Sequence, residues 1–93
     1  MVGSLVVESE LTITNQRGLH ARAAAKLCKL AEGFQSQLTV SRNDISVSAC
    51  SIMGLMLLAA VPGSTINVRA EGVDAAAALT AVQGLVESKF YED

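Results

Sequence analysis

Residues 18–22 read Gly-Leu-His-Ala-Arg, and they lie where a strand-like pattern changes into a helical one. Over residues 5–14 apolar and polar side chains mostly alternate, and a period of two indicates a strand with one buried face. Over residues 23–31 apolar side chains recur at three- and four-residue spacing, which indicates an amphipathic helix. We therefore predict a first strand, an exit loop at residues 15–19, and a helix that begins at His20 or Ala21 and ends near Gly33.

The middle of the chain predicts a hairpin followed by a short helix. Alternating runs at residues 38–40 and 45–49 flank Asn43-Asp44, and Asn and Asp tolerate the backbone conformations of a tight turn. Ser51 precedes an apolar run at helical spacing and is a natural N-cap. We expect this second helix to continue until Pro62-Gly63.

The last third of the chain predicts one more strand and a closing helix. Residues 66–70 alternate, and Asp74 is a candidate N-cap for an apolar helical face that extends to Phe90. The resulting order, βαββαβα, predicts an α+β fold in which helices cover one face of a four-stranded, at least partly antiparallel sheet. We expect residues 1–93 to form a single domain.

Composition limits the cellular setting and the fold. The chain has 93 residues, of which 51% are hydrophobic, enough for one core. No apolar run approaches the roughly 20 residues that cross a bilayer. The first fifteen residues contain Glu8 and Glu10 and lack the basic region followed by an apolar one that is typical of a secretory signal peptide. We therefore expect a cytoplasmic protein with no membrane partner. Cys28 and Cys50 have no CxxC spacing, so we expect both to be reduced packing residues.

The charge distribution argues against one partner and draws attention to one region. The net charge is −2 and aromatic residues make up 3% of the chain, so we expect no nucleic-acid partner. Four of the seven basic residues nevertheless cluster around His20: Arg17, Arg22, Lys26 and Lys29. Such a cluster is commonly a solvated helix face, but here it also surrounds the only histidine.

His20 has the setting of a phosphate site. A lone histidine is commonly a surface or cap residue, yet the N–H groups at a helix start, from Ala21 and Arg22, and the Arg22 guanidinium are donors that suit phosphate. Hydrolysis fits poorly because no acid is near His20 in sequence, although a distant acid could approach in the fold. A metal site fits poorly because one histidine and two isolated cysteines are too few ligands. We predict that His20 is transiently phosphorylated and that no cofactor is needed.

Four segments of the chain resemble a known family: residues 18–25, 51–56, 62–64 and 70–72. They are similar to HPr, the histidine phosphocarrier of the bacterial phosphoenolpyruvate-dependent phosphotransferase system. The resemblance extends from about Leu11 to Val86. It implies an open-faced β-sandwich, with an antiparallel sheet in the order 1-4-2-3 and three helices on one side.

The resemblance also implies a mechanism and partners. His20 would receive a phosphoryl group on Nδ1 from the system's first enzyme, phosphoenolpyruvate-protein phosphotransferase, and pass it to an IIA-type protein or domain. Arg22 would steady the phosphoryl group. The chain would be a stoichiometric carrier rather than an enzyme, and a monomer is the default.

Two further features of the HPr family have alternative structural explanations in this sequence. Ser51 is a helix cap by position, and it also lies where many family members are phosphorylated by an HPr kinase/phosphorylase. The apolar side chains that follow it are typical of a core, but a short helix in a two-layer fold cannot bury every side. The resemblance implies that partners dock on Ala21, Ala25, Lys26, Ile52, Met53 and Met56.

The sequence departs from the HPr family pattern in two places. Ala23 stands where the family usually has proline, and the N-terminus is about five residues longer than usual, a difference for which we have no functional explanation. Because Ala23 leaves the start of the helix less restricted than proline does, an alternative function stays open. In that alternative the chain is a regulatory HPr-like binding protein, of the nitrogen branch or controlled through Ser51, with a weak role or none in sugar transport.

Overall fold

The structure is a computed structural model that describes residues 5–92. Its strands are β1 (Leu5–Thr12), β2 (Gln37–Arg42), β3 (Ile45–Ser48) and β4 (Thr65–Gly72). Its helices are α1 (Ala21–Glu32), α2 (Ile52–Leu57) and α3 (Ala75–Glu87), and a single turn at Lys89–Tyr91 follows α3. None of these helices is long and apolar enough to cross a membrane.

The four strands form one antiparallel sheet in the order β1-β4-β2-β3. This order confirms the topology that the resemblance implies. The hairpin between β2 and β3 turns at Asn43, which has a φ of +57°, as the turn chemistry predicts. Because β4 lies between β1 and β2, it joins the N-terminal strand to the β2–β3 hairpin.

The core lies between the inner face of the sheet and the helices. Ile66, Val68 and Ala70 alternate inward along β4 and are fully buried. Helix α3 packs on β1 and β4, and α1 packs against both α2 and α3. Buried alanines on the helices, such as Ala24 and Ala78, have little side-chain volume and allow this close packing.

The outer side of the sheet carries polar residues. The Arg69 guanidinium on β4 lies 3.5 Å from the Glu8 carboxylate on β1 and 3.1 Å from that of Glu71. All three side chains are substantially exposed, so each ion pair contributes about 1 kcal/mol or less. Leu5 and Ile45 begin the alternating runs of β1 and β3, and both are about half exposed because they lie at the ends of these edge strands.

Two predicted helix ends are wrong. Helix α2 ends at Leu57, well before Pro62-Gly63, because Ala59 has a φ of +50° and turns the chain out of the helix. Helix α3 ends at Glu87 rather than at Phe90, because residues 89–91 all have φ near +57°. Phe90 is fully buried as its apolar character predicts, but it reaches the core from a left-handed turn.

Asp74 lies at the N-cap position of α3 but does not cap the helix with its side chain. Its carboxylate instead accepts hydrogen bonds from the hydroxyl of Ser36, from the Gln35 N–H at 2.9 Å and from the Ser36 N–H at 2.8 Å. These bonds, that of the Ser36 hydroxyl foremost, lower the pKa of Asp74. The predicted cap therefore ties the start of α3 to the loop that precedes β2.

We expect Asp74→Asn to reduce the sensitivity of the fold to acid. Since the folded-state pKa of Asp74 is lowered, its carboxylate stabilises the fold above the ordinary aspartate pKa of about 4, and that stability is lost as the pH falls through the lower folded-state value. Melting midpoints measured from pH 6 to pH 2 should decline less steeply for Asp74→Asn than for wild type. Asp44→Asn at the exposed hairpin turn is the matched control, and parallel curves for wild type and Asp74→Asn would contradict the prediction.

Candidate functional site

The loop before α1 is pressed against the backbone of a distant segment. Gly18 has a φ of +66°, and a Cβ atom placed there would lie 2.3 Å from the carbonyl oxygen of Ala60. The N–H of Leu19 donates a hydrogen bond of 2.8 Å to the same oxygen. Only glycine fits this close approach, so the position at which α1 begins is fixed by the chain near Ala60.

Asn15 holds the loop from inside. Its side chain is 1% exposed, and its amide nitrogen Nδ2 donates to the carbonyl oxygen of Gly18 at 2.8 Å and to Glu92 Oε1 at 3.0 Å. The sequence placed Asn15 in the exit loop without assigning it a role. The sequence feature that indicates this role is an asparagine three residues before a turn glycine, because an asparagine side chain at that spacing can hydrogen-bond the local backbone.

His20 is the N-cap residue of α1, as one of the two predicted starts requires. Its carbonyl oxygen accepts the N–H of Ala24 at 2.8 Å, the first hydrogen bond of the helix. The N–H groups of Ala21 and Arg22 precede that bond, no side chain caps the helix start, and its first turn contains no acidic residue. These backbone donors are thus available to an anion at the start of α1.

The His20 ring is partly buried, with 23% of its side chain exposed, and each ring nitrogen faces an oxygen. Nδ1 lies 3.1 Å from the carbonyl oxygen of Gly18, and Nε2 lies 3.2 Å from Glu92 Oε2. The second pair lies within ion-pair distance but is not aligned as a hydrogen bond. A carbonyl oxygen and a carboxylate accept and cannot donate, so each attracts the ring nitrogen it faces when that nitrogen carries a proton.

Glu92 is the acid that the sequence does not place near His20. It arrives from the far end of the chain through the turn at Lys89–Tyr91, so the distant approach left open by the sequence occurs in the fold. Two contacts hold this turn: Phe90 is fully buried, and Lys26 Nζ donates to the Phe90 carbonyl oxygen at 2.6 Å. Residues 89–91 all have positive φ although none of them is glycine, so the sequence gives no indication of this turn.

The basic residues of this region share one cleft. It has a volume of about 340 Å³ and is lined by Gln16, Arg17, Arg22, Lys26, Tyr91 and Glu92. Three of the four cations that cluster around His20 in the sequence therefore surround the carboxylate that touches the His20 ring, while Lys29 lies outside this lining. Arg22 is exposed and has room to reach an anion at the helix start.

The residues expected to dock partners lie on two packed helices. Ala21 and Ala25 are exposed on α1, and α1 packs against α2. On α2, Met53 is 78% exposed, and Ile52 and Met56 are also exposed, in agreement with a short helix that cannot bury every side. Leu57, which is 69% exposed, extends this apolar surface and is not among the docking residues that the resemblance implies. Lys26 is partly buried because it bonds the C-terminal turn.

Ser51 caps α2 as predicted. Its Oγ accepts a hydrogen bond of 2.9 Å from the N–H of Gly54. The two cysteines differ from each other: Cys28 is buried, as expected for a packing residue, whereas Cys50 is exposed, so the expectation that it packs is wrong. Within residues 5–92, no three His, Cys, Asp or Glu side chains come together to hold a metal ion.

Comparison with known proteins decides the family. The model of the family described as "PTS HPr component phosphorylation site" matches residues 7–88. The chain belongs to the HPr family. The Phosphocarrier protein HPr of Xylella fastidiosa (strain Temecula1) is 50% identical over 88 residues, which cover 95% of this chain and 99% of that protein.

Two further HPr-family relatives are informative. The Phosphocarrier protein NPr of Shewanella violacea is 44% identical over 86 residues, which cover 92% of this chain and 94% of that protein. The crystal structure of HPr-C-His from Thermoanaerobacter tengcongensis superposes with a TM-score of 0.89 at 41% identity, covering 94% of this chain and 98% of that one. The HPr fold implied by the sequence is thereby confirmed.

Ala23, where the HPr pattern usually has proline, should accept proline. It lies in the first turn of α1, and the first helical hydrogen bond is donated by Ala24, so the Ala23 N–H is not needed for the helix. We expect Ala23→Pro to leave the melting midpoint unchanged or to raise stability by up to about 1 kcal/mol, since proline restricts the unfolded chain. Thermal unfolding of both variants tests this, and Ala25→Pro, which lies inside the helix, is the destabilised control. A large drop in the melting midpoint of Ala23→Pro would show that the fully buried position has no room for the proline ring.

Proposed function

We propose that His20 is the phosphoacceptor of this HPr-family chain. It would take a phosphoryl group from the phosphoenolpyruvate-charged first enzyme and pass it to an IIA-type acceptor. The supporting observation is the place of His20 at the start of α1, beside uncapped helix N–H groups and a cleft lined by Arg22. The chain would act as a stoichiometric carrier, with the rest of each active site supplied by its partner.

The transfer itself requires a change at Nδ1. In the structure Nδ1 faces the Gly18 carbonyl oxygen, a contact that is favourable only while Nδ1 carries a proton. To accept the group, Nδ1 must release that proton to solvent and turn its lone pair toward phosphorus. A bond then forms from Nδ1 to phosphorus as the bond from phosphorus to the donor atom of the first enzyme breaks, and the electron pair of the broken bond stays with that donor atom.

The oxygens of the transferred group need positive partners. The N–H groups of Ala21 and Arg22 and the Arg22 guanidinium are the donors we assign to this role. Arg17 and Lys26 line the same cleft and raise its positive potential. The positive charge of this region matters most when the dianionic group arrives.

We assign Glu92 a positioning role toward His20. Its Oε2 lies 3.2 Å from Nε2, while Oε1 accepts from Asn15, so the carboxylate is fixed on two sides. A carboxylate at this place favours a proton on Nε2, and a ring protonated on Nε2 has its lone pair on Nδ1. Glu92 would therefore direct the phosphoryl group to Nδ1.

Partners would dock on the surface formed by α1 and α2. The exposed side chains of Ala21, Ala25, Ile52, Met53 and Met56, together with Lys26, make an apolar surface with a basic margin. Methionines adapt to differently shaped surfaces, which suits a carrier that must bind a donor and several acceptors in turn. We propose that the chain works as a single HPr-like domain and as a cytoplasmic monomer.

Ser51 is a candidate for regulation by an HPr kinase/phosphorylase. Its Oγ is engaged as the cap of α2, and the adjacent Ile52 and Met53 belong to the proposed docking surface. A phosphate on Ser51 would place negative charge at the margin of that surface and repel acidic partners. In this proposal the cap and the regulatory site are the same hydroxyl.

The likeness to an NPr and the alanine at position 23 favour a second candidate function. In it the chain is a regulatory binding protein of the nitrogen branch, or one that responds through Ser51, and has little role in sugar transport. The two candidates differ in how well His20 serves the sugar phosphotransferase system. Rapid charging by the first enzyme of that system and rapid transfer to one of its IIA proteins support the first candidate, whereas slow charging and slow transfer favour the second.

Phosphorylation of His20 is tested directly. Incubation with phosphoenolpyruvate and a cognate first enzyme should add one acid-labile phosphoryl group, about 80 Da by mass spectrometry, and peptide mapping should locate it on His20. A folded His20→Ala variant should stay unlabelled, while Ser51→Ala should be labelled as wild type is. Labelling of His20→Ala would overturn the proposal.

Arg22→Ala should slow phosphoryl transfer at least severalfold and leave the free energy of unfolding within about 0.5 kcal/mol of wild type, because this exposed charge acts only on the arriving phosphate. Lys29→Ala removes an exposed cation from the same helix but outside the cleft lining, and it should transfer at the wild-type rate. Stopped-flow or quenched-flow transfer kinetics give the comparison. Equal rates for the two variants would refute the role of Arg22.

Glu92→Gln should slow acceptance by His20 about three- to tenfold, since the amide keeps the shape of the side chain but loses the charge that favours a proton on Nε2. Nitrogen-15 NMR of the ring should show a smaller share of the tautomer protonated on Nε2. Glu87→Gln, at the exposed end of α3, is the control for charge alone. Unchanged nitrogen shifts with an unchanged rate would show that Glu92 does not position the ring.

A further inference from the structure

We propose that Cys28 and Cys50 form an oxidative modification site, at which a peroxide links them into an intramolecular disulfide. Neither thiol takes part in the proposed phosphoryl transfer. Cys28 lies on α1 and Cys50 lies in the loop between β3 and α2, directly before the Ser51 cap. The disulfide would join the two helices that carry the proposed docking surface.

The two residues already touch. Cys28 Sγ donates a hydrogen bond of 3.1 Å to the carbonyl oxygen of Cys50. A carbonyl oxygen lies about 2.4 Å from the Cα of its own residue, so this sulfur is within about 5.5 Å of the Cys50 Cα. A disulfide also requires the two sulfurs to meet and the two Cα atoms to lie about 4.4–6.8 Å apart, so the exposed Cys50 side chain must rotate toward α1 for the bond to form.

The two thiols differ in their exposure to solvent, and this difference determines which of them a peroxide oxidises first. Cys50 is exposed and meets a dissolved oxidant first, whereas Cys28 is buried. Burial, followed by the Glu32 carboxylate and Cys50, raises the pKa of Cys28. Cys28 is therefore protected from direct oxidation, and its place beside Cys50 assigns it the later step, in which its sulfur attacks the oxidised Cys50 once its proton has been removed.

The chemistry balances with one molecule of hydrogen peroxide. The Cys50 thiolate attacks one peroxide oxygen, the O–O bond breaks, and the released hydroxide takes a proton to form water, leaving a sulfenic acid on Cys50. The Cys28 sulfur then attacks Cys50 Sγ, the S–O bond breaks, and a second water forms. The Glu32 carboxylate, whose Oε2 lies 3.7 Å from Cys28 Sγ, is placed to take the Cys28 proton. Two electrons pass from the sulfurs to the peroxide.

The loop around Cys50 is ordered enough to keep the pair together. The N–H of Cys50 donates to Ser48 Oγ at 3.1 Å, and the N–H of Ala49 donates to the Leu38 carbonyl oxygen at 2.9 Å. On the other side Ser51 caps α2. Because the loop is fixed at both ends, Cys50 stays next to α1, which favours a bond within one chain over a bond between two chains.

The test uses the whole wild-type chain, reduced and then treated with hydrogen peroxide at a small molar excess. We expect a mass 2 Da below that of the reduced protein, no free thiol, and a tryptic peptide pair linked through Cys28 and Cys50. The linked protein should melt several degrees higher than the reduced one, because the bond restricts the unfolded chain. Dithiothreitol should reverse both changes.

Cys50→Ser is the main control, because the substitution is at an exposed position and keeps the backbone carbonyl oxygen that Cys28 contacts. Under the same treatment it should keep Cys28 as a free thiol and show no change in melting midpoint. The proposal is overturned if wild type yields a sulfinic acid, a +32 Da product, on Cys50 while Cys28 stays free. It is equally overturned if the disulfide joins Cys50 residues of two chains, which non-reducing electrophoresis detects.

Discussion

The site depends on the approach of Gly18 to the backbone of Ala60. Without a side chain at residue 18 the loop lies against a carbonyl oxygen, and the neighbouring N–H of Leu19 bonds that oxygen. This contact fixes where α1 begins, and the start of α1 fixes the place of His20 and of the helix N–H groups beside it. A substitution at Gly18 would thus act on His20 through the backbone, both by moving the start of α1 and by moving the Gly18 carbonyl oxygen that contacts Nδ1 of the ring.

The sequence predicts most of the scaffold because its signals are local. Alternation in the strands, the Ser51 cap and the Asn43 turn all depend on residues within a few positions of one another, and each is found in the structure. The helix ends that were wrong have a different origin. Ala59 and residues 89–91 adopt positive φ although none is glycine, so tertiary contacts such as the burial of Phe90 decide their conformation.

The candidate site likewise contains residues that local sequence reveals and residues that only tertiary contacts bring together. His20 and Arg22 are visible in the sequence because motif and helix start coincide, whereas Glu92 meets His20 and Asn15 only in the fold. No spacing rule links residues at opposite ends of a chain. The buried asparagine joins both ends, since one amide nitrogen bonds the loop before α1 and the carboxylate after α3.

The route of the chain after α3 has a practical meaning for work with this protein. Residues 89–91 turn the backbone so that Glu92 reaches the His20 ring and lines the cleft of Arg17, Arg22 and Lys26. An affinity tag or fusion partner attached shortly after Glu92 would therefore lie near this cleft, where its charges and bulk compete with incoming proteins. A tag of histidines there would also place imidazoles beside the one imidazole under study. Labels and fusions are therefore better attached at the β2–β3 hairpin around Asp44, an exposed tight turn.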